Sequence, residues 1–151
     1  MIRLDEHRHL LSDYVIYALE QQEESISAER ARKGLRLESE IQQALAVAMS
    51  GFEVMLAPTI SMPALDAGMS YITERIELHG ERLTRREHVM ALPFNICSRA
   101  PVMSVPSGFA EHGIPTGVQI IGHPFDDAAV FDVAYAIERI KPWSVIRPPM
   151  N

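Results

Sequence analysis

Hydrophobic residues in the first third of the chain recur at the spacing of amphipathic helices. The first pattern begins at Leu4, with residues Glu20 to Glu24 on its solvent side, and its apolar positions are Leu4, Leu11, Tyr14, Val15, Ala18 and Leu19. A second pattern begins near Ser27, a potential N-cap, and ends at Gly51; its apolar positions are Leu35, Ile41, Leu45, Ala48 and Met49. The sequence therefore predicts two helices within residues 1–51.

After residue 51 the helical spacing gives way to short apolar runs bounded by glycine and proline. The runs are Val54 to Ala57, Val102 to Val105 and Val118 to Ile121, and each predicts a strand. The last two runs do not alternate apolar with charged residues, so we expect helices to cover both of their faces. The order of helices and strands favours an α/β fold.

The remaining segments predict an irregular excursion and two further helices. Residues Thr59 to Glu87 mix turn residues with charges, which is typical of a long loop. A Thr84-x-x-Glu87 capping box predicts a short helix that runs to about Asn95. The last helix is expected to start at Asp126 and Asp127 and to stop before Pro142, ahead of an extended tail at Arg147-Pro148-Pro149. Its predicted buried face comprises Val130, Val133, Ala134 and Ile137, with Phe131 as a further candidate.

Composition narrows the range of functions. The chain has 151 residues, 47% of them hydrophobic, which fits one globular domain. Its 14 basic and 20 acidic residues give a net charge of −6, which argues against a nucleic-acid partner. The single cysteine, Cys97, excludes an internal disulfide and is interpreted as a small buried hydrophobe. We expect no metal site from the scattered histidines, no membrane span, no signal peptide and a cytoplasmic location.

Sequence motifs on the predicted strands resemble the C-terminal part of the amidase signature family. The matching stretches run from Phe94 to Phe109, from Gly113 to Gly122, through Phe125-Asp126-Asp127, and from Phe52 to Thr59. The resemblance spans roughly Tyr14 to Ile140. It implies an α/β fold with a mixed sheet covered by helices, as a single partial amidase domain over residues 1–151. Within it, residues 1–51 form a helical segment and residues 52–151 a strand and helix segment.

The resemblance implies hydrolysis or transfer of amide bonds, without a cofactor. In that family a nucleophilic serine, a second serine and a lysine do the chemistry, with the serines on a Gly- and Ser-rich segment. This chain has no Ser-Ser or Gly-Gly pair, and its lysines, Lys33 and Lys141, do not stand in the family's lysine context. Ser104 and Ser107 lie in SVPSG, which lacks the G-x-S-x-G pattern of a nucleophile elbow. We therefore expect a truncated C-terminal fragment with no catalytic residue and no amidase activity of its own.

The polar residues expected to face a substrate are Asn95, Arg99 and Gln119. Where many family members have a small Gly-containing turn, this chain reads Asn95-Ile96-Cys97-Ser98-Arg99-Ala100-Pro101, so the family's substrate preference does not carry over. The expected partners are a small-molecule amide, if the missing half is supplied, and a second copy that associates through exposed core surface. The alternatives are a non-catalytic structural or partner-binding module, a decayed reading frame, and a subunit-like relative of glutamyl-tRNA amidotransferase.

Overall fold

The computed structural model describes residues 7–20, 27–62, 65–66, 68–70, 72–97, 99–111 and 113–143. Its α-helices are α1 (Asp13–Glu20), α2 (Ala28–Ala48), α3 (Leu92–Ile96) and α4 (Asp127–Ile140). Its strands are β1 (Val54–Pro58), β2 (Arg75–Leu78), β3 (Glu81–Thr84), β4 (Val102–Phe109) and β5 (Pro115–Gly122), and short 3-10 helices span Arg8–Leu10 and Arg85–His88. The predicted α/β class is confirmed. The predicted tail at Arg147-Pro148-Pro149 lies outside the described residues.

The main sheet has three strands in the order β1-β5-β4. Strand β5 pairs antiparallel with both neighbours: Ile120 lies opposite Leu56 on β1 and opposite Met103 on β4. The sheet was expected to be mixed, but every strand pairing in the described part of the chain is antiparallel. The short β4–β5 connection explains the difference for that pair, since a parallel crossover needs a dozen or more residues.

Helix α4 packs on one face of this sheet and closes the core. Val105, Ile120, Val130 and Ala134 form its buried cluster. Gly122 makes the close approach possible, because a Cβ atom there would lie 2.7 Å from Val130 Cγ2 and 3.0 Å from the Asp126 carbonyl oxygen. Both faces are covered at the end of β5, where Gln119 to Gly122 are buried, but α4 covers only one of them, and Gln119 on β5 binds the non-helical residues Pro58 and Met90.

Strand β4 and helix α4 each depart from the burial predicted for them. Val102 and Ser104 on β4 are exposed although Val105 is buried, so β4 has one open face. Phe131, a further candidate for the buried face of α4, is instead 63% exposed. At about 100° per residue it falls outside the arc of the helical wheel that runs from Val133 to Ala134, to the side of the core-facing stripe.

The predicted helix caps are present, with one boundary moved. Ser27 Oγ accepts the Arg30 N–H at 3.2 Å and Asp126 Oδ1 accepts the Ala129 N–H at 3.2 Å. Gly51 has a φ of 85°, in the left-handed region that suits a glycine after a helix. The first predicted helix is shorter than expected, because α1 begins only at Asp13, after a separate 3-10 turn. Leu4 and residues 21–24 lie outside the described residues.

The predicted loop from Thr59 to Glu87 contains a β-hairpin, so that expectation was wrong. Strands β2 and β3 pair with Leu78 opposite Glu81. The two residues between them, His79 and Gly80, both have positive φ, 52° and 84°. Two such residues form the type I′ turn that matches the twist of a hairpin. The His-Gly pair between two alternating segments was the sequence signal for it.

The predicted helix from Thr84 to Asn95 is divided in two. The capping box is present: the Thr84 N–H and hydroxyl both donate to Glu87 Oε2, at 2.6 and 2.7 Å. It starts only the 3-10 helix Arg85–His88, because Val89 then pairs with Ile60 in an isolated β-bridge. Helix α3 starts afresh at Leu92, with a proline in its first turn, the position where proline costs no hydrogen bond.

Candidate functional site

The three predicted substrate-facing residues lie in different surroundings. Asn95 is exposed on α3 and Arg99 is exposed in the loop between α3 and β4. Gln119 is buried in the middle of β5, at 1% exposure. The structure therefore gives Asn95 and Arg99 surface positions on neighbouring segments and encloses Gln119 within the protein.

Gln119 joins three segments through its side-chain amide. Its Nε2 donates to the Pro58 carbonyl oxygen at 2.8 Å and to the Met90 carbonyl oxygen at 3.1 Å. Both amide hydrogens are thereby used, which is how a buried amide avoids an unpaired donor. Gln119 ties the end of β1 and the turn before α3 to β5, and so positions the segment that carries Asn95.

Arg99 borders a small, mostly apolar cavity. The cavity has a volume of about 60 Å³ and lies between the C-terminal half of α2 and the loops that follow α3 and β5. Its lining includes Met49, Cys97, Arg99, Gly122 and His123. Pockets that enclose a small-molecule ligand are typically several hundred Å³. This cavity is too small to enclose one, but its rim can form part of a larger wall.

Cys97 lines this cavity and is 2% exposed. Burial raises the pKa of the Cys97 thiol, and the charge of Glu38 adds to the increase. A raised pKa keeps the sulfur protonated at neutral pH, and the thiol form is a poor nucleophile. The structure confirms the interpretation of Cys97 as a buried hydrophobe.

A serine and a histidine meet beside the isolated bridge between Ile60 and Val89. Ser61 Oγ lies 2.7 Å from His88 Nδ1, and the Ser61 N–H donates to the His88 carbonyl oxygen at 3.0 Å. His88 is completely buried, and its Nε2 has no hydrogen-bond partner in the described part of the chain. An activated serine needs a base that a third group orients. His88 Nε2 has no such orienting partner among the described residues. We therefore interpret the pair as a structural contact that holds together the two ends of the segment from residue 61 to residue 88.

Sequence reasoning missed this pair because it treated His88 as one of several scattered loop histidines. The two residues are 27 positions apart, and no motif connects them. The one local signal was the apolar Val89-Met90 directly after His88, which indicates a buried segment.

The other described groups supply no metal site and no membrane helix. No cluster of three histidine, cysteine, aspartate or glutamate side chains with a geometry suited to a metal ion occurs among the described residues. None of the helices in the described ranges has the length and apolar character needed to cross a membrane.

Comparison with known proteins identifies the family to which this chain belongs. The Amidase family model matches residues 5–131. The chain belongs to the amidase signature family. It is 36% identical over 118 residues to a glutamyl-tRNA(Gln) amidotransferase subunit of Methanosarcina barkeri (strain Fusaro / DSM 804), a match that covers 78% of this chain and 23% of the relative.

Solved structures agree with the family assignment. The fold is similar to that of a bacterial aryl acylamidase belonging to the amidase signature enzymes family, with a TM-score of 0.74 and 26% identity over 95% of this chain and 30% of that one. A crystal structure of an amidase gives a TM-score of 0.73 and 27% identity over 90% of this chain and 30% of that one. The chain thus spans about a quarter to a third of the length of these relatives.

The amidase signature motifs lie on the sheet and not in a catalytic cluster. Ser104 is exposed on β4, and Ser107 Oγ lies 2.9 Å from Thr116 Oγ1 on β5. Lys141 lies close to this pair, because its Nζ donates to the Ser107 carbonyl oxygen at 2.9 Å. A base must contact the hydroxyl that it activates, and here the lysine binds a main-chain oxygen instead. The motif SVPSG therefore builds the β4 edge and its bulge.

Proposed function

We propose that this unit is scaffold from an enzyme that hydrolyses carbon–nitrogen amide bonds, and that it forms sheet strands and one wall of the substrate site. The observation that carries the proposal is the family match over residues 5–131, with a TM-score of 0.74 to the aryl acylamidase. The proposal treats residues 1–151 as one structural unit and assigns no catalytic residue to it. The nucleophilic serine, the second serine and the lysine come from polypeptide outside these 151 residues.

The proposed roles of the three polar residues follow from their surroundings. Arg99 is exposed at the rim of the small cavity, where a guanidinium can donate to a substrate carbonyl or carboxylate. Asn95 is exposed on the neighbouring helix and supplies an amide donor and acceptor. Gln119 acts as a positioning residue, because its Nε2 hydrogens already bind Pro58 and Met90.

The scaffold role is tested in a chimera. Residues 5–131 replace the matching segment of the bacterial aryl acylamidase, and hydrolysis of an aryl amide is followed. We expect an active chimera in which Arg99→Ala raises KM about tenfold, the size of one lost hydrogen bond to a charged group, with kcat nearly unchanged. The matched control is Ser104→Ala, at an exposed position on β4 away from the cavity rim, and it should leave KM unchanged.

A folded chimera without activity would overturn the scaffold role. The absence of a nucleophile is tested on the 151-residue chain, which we expect to be inactive on a panel of small amides. Turnover that survives purification and disappears in Ser104→Ala or Ser107→Ala would contradict that expectation.

A second candidate is a unit of an amidotransferase that takes ammonia from an amide donor for a tRNA-linked product. The 36% identity to the glutamyl-tRNA(Gln) amidotransferase subunit favours it. The two candidates differ in their amide substrate. A second chimera, in which this chain replaces the matching segment of the amidotransferase subunit, tests for glutaminase activity. Glutaminase activity there, without aryl amidase activity in the first chimera, would favour the amidotransferase. A non-catalytic partner-binding module remains the alternative if both chimeras fold and neither is active. The cytoplasmic location and the absence of nucleic-acid and membrane partners stay predictions.

A further inference from the structure

The contact between Ser61 and His88 leaves one donor hydrogen without an acceptor. Ser61 Oγ lies 2.7 Å from His88 Nδ1, and the Ser61 N–H donates to the His88 carbonyl oxygen. Nε2, the other ring nitrogen of His88, has no hydrogen-bond partner among the described residues. A neutral imidazole carries a proton on only one of its two nitrogens, so the position of that proton decides which donor stays unpaired.

The unpaired Nε2 of His88 is a property of this unit itself. His88 is completely buried, whereas Ser61 is only half-buried. A hydrogen-bonding group from outside the unit would have to contact Nε2, and the surrounding protein atoms exclude that contact. The missing partner therefore does not result from the larger share of the relatives' length that this chain does not cover.

The two possible positions of the His88 proton differ in where they leave the unpaired donor. If Nε2 carries the proton, a completely buried N–H group has no acceptor, which is rare in folded proteins because its lost hydration is not replaced. If Nδ1 carries the proton, this N–H donates to Ser61 Oγ and Nε2 keeps only a lone pair. The Ser61 hydroxyl hydrogen is then the free donor, on a residue that outside groups can reach. Burial therefore favours the Nδ1–H form.

The Ser61 hydroxyl lies beside the segment that carries Asn95. The Met90 N–H donates to the Thr59 carbonyl oxygen at 3.1 Å, two residues before Ser61. Helix α3, which carries Asn95, begins shortly after Met90. The end of β1 therefore adds a second uncharged polar side chain to the proposed wall of the substrate site.

We propose that His88 is held as the Nδ1–H tautomer and positions the Ser61 hydroxyl, which donates a hydrogen bond to the carbonyl oxygen of an amide substrate. The imidazole N–H occupies the Ser61 oxygen and leaves the hydroxyl hydrogen directed away from His88. The same tautomer prevents His88 from acting as a base for Ser61, because Nδ1 already carries a proton. That the acceptor belongs to a substrate rests on the proposed function, whereas the tautomer does not.

Nitrogen-15 NMR of the 151-residue chain decides the tautomer independently of amide hydrolysis. In a sample with labelled histidine at neutral pH, long-range proton–nitrogen correlations should show a protonated, pyrrole-type Nδ1 and an unprotonated, pyridine-type Nε2 for His88. The His88→Asn variant assigns these signals by their loss. A proton on Nε2 overturns the proposal.

Kinetics of the aryl acylamidase chimera described above test the role of Ser61. Ser61→Ala should raise KM about fivefold, the size of one neutral hydrogen bond, with kcat nearly unchanged. His88→Asn can place an amide N–H near the position of Nδ1 and should keep KM within about twofold, whereas His88→Leu removes the donor and should raise KM as Ser61→Ala does. Ser104→Ala, at an exposed serine on β4, is the matched control and should leave KM unchanged.

Circular dichroism checks that each variant is folded. An unchanged KM in folded Ser61→Ala overturns the substrate as the acceptor, and equal effects of His88→Asn and His88→Leu overturn the positioning role. An inactive chimera contradicts the proposed function and, with it, the substrate as acceptor, while the nitrogen signals still decide the tautomer.

Discussion

Strand β5 and helix α2 are both rich in apolar residues, but they use them in opposite ways. Gln119 to Gly122 on β5 are buried in succession, with Ile120 and Ile121 at 0% exposure. Helix α2 is 21 residues long and contains no buried residue; Leu35 on its predicted apolar face is 66% exposed. The first buried residue of that pattern is Met49, just beyond the helix end.

The difference shows that an apolar pattern identifies residues that can be buried, but does not show whether the fold buries them. Strand β5 meets β1, β4 and α4 within this chain, so its apolar residues are covered. Helix α2 has the N-cap Ser27 and many strong helix formers, so its N-terminal half forms although Leu35 is exposed there; of its apolar residues only Ile41 and Leu45, near its C-terminal end, are half-buried. The stability of the unit should therefore depend on β5 and α4 and little on α2.

The largest expected effect that tests this comparison comes from truncating one buried and one exposed aliphatic residue. Ile120→Ala leaves a cavity where Ile120 contacts the α4 cluster and should reduce the free energy of unfolding by about 2–5 kcal/mol. Leu35→Ala on α2 should change it by no more than about 0.5 kcal/mol. Urea unfolding followed by circular dichroism measures both. Similar losses in the two variants would contradict the comparison and show that α2 is covered.

Replacing one glycine by alanine in each region should change the free energy of unfolding by a smaller amount, and with opposite signs. Gly122→Ala forces a Cβ atom to within 2.7 Å of Val130 Cγ2, and overpacking of this kind should cost about 1–3 kcal/mol. Gly34 lies inside α2 with nothing within 4 Å of the position a Cβ atom would take. Gly34→Ala should therefore stabilise the chain by up to about 1 kcal/mol, because alanine is the better helix former. Thermal unfolding of both variants checks the signs, and destabilisation by Gly34→Ala would show a close neighbour on α2.

Sequence reasoning succeeded where a local rule decides the structure. Ser27, Asp126 and the Thr84-Glu87 box cap as predicted because capping needs only residues within one turn. The strands around Val54, Val105 and Ile120 follow from apolar runs between glycines and prolines. The family could be named because those runs also carry a recognisable motif.

The rest depends on contacts between distant segments, which a local pattern does not contain. The Ser61–His88 pair and the Lys141–Ser107 contact join residues 27 and 34 positions apart. The burial of Gln119 depends on two carbonyl groups, at Pro58 and Met90, that the fold brings to it. The open face of β4 follows from its edge position, and strand order was not derivable from the apolar runs. The hairpin at His79-Gly80 and the burial of His88 before Val89-Met90 each had a local signal that was overlooked.

The smallest expected effect is a change in how the stability depends on pH, which distinguishes the exposed Thr84-Glu87 capping box from the core. Two hydrogen bonds from Thr84, the hydroxyl first and then the N–H, lower the pKa of Glu87, with a smaller contribution from Arg75. A lowered folded-state pKa means that this stabilisation is present above the unfolded pKa of about 4.5 and is lost as the pH falls through the folded value. Glu87→Gln should therefore flatten the fall in stability between neutral and acid pH, whereas Ile120→Ala should lower the whole curve evenly. Urea midpoints measured at several pH values for both variants decide this, and an unchanged acid slope in Glu87→Gln would assign the pH dependence to another carboxylate.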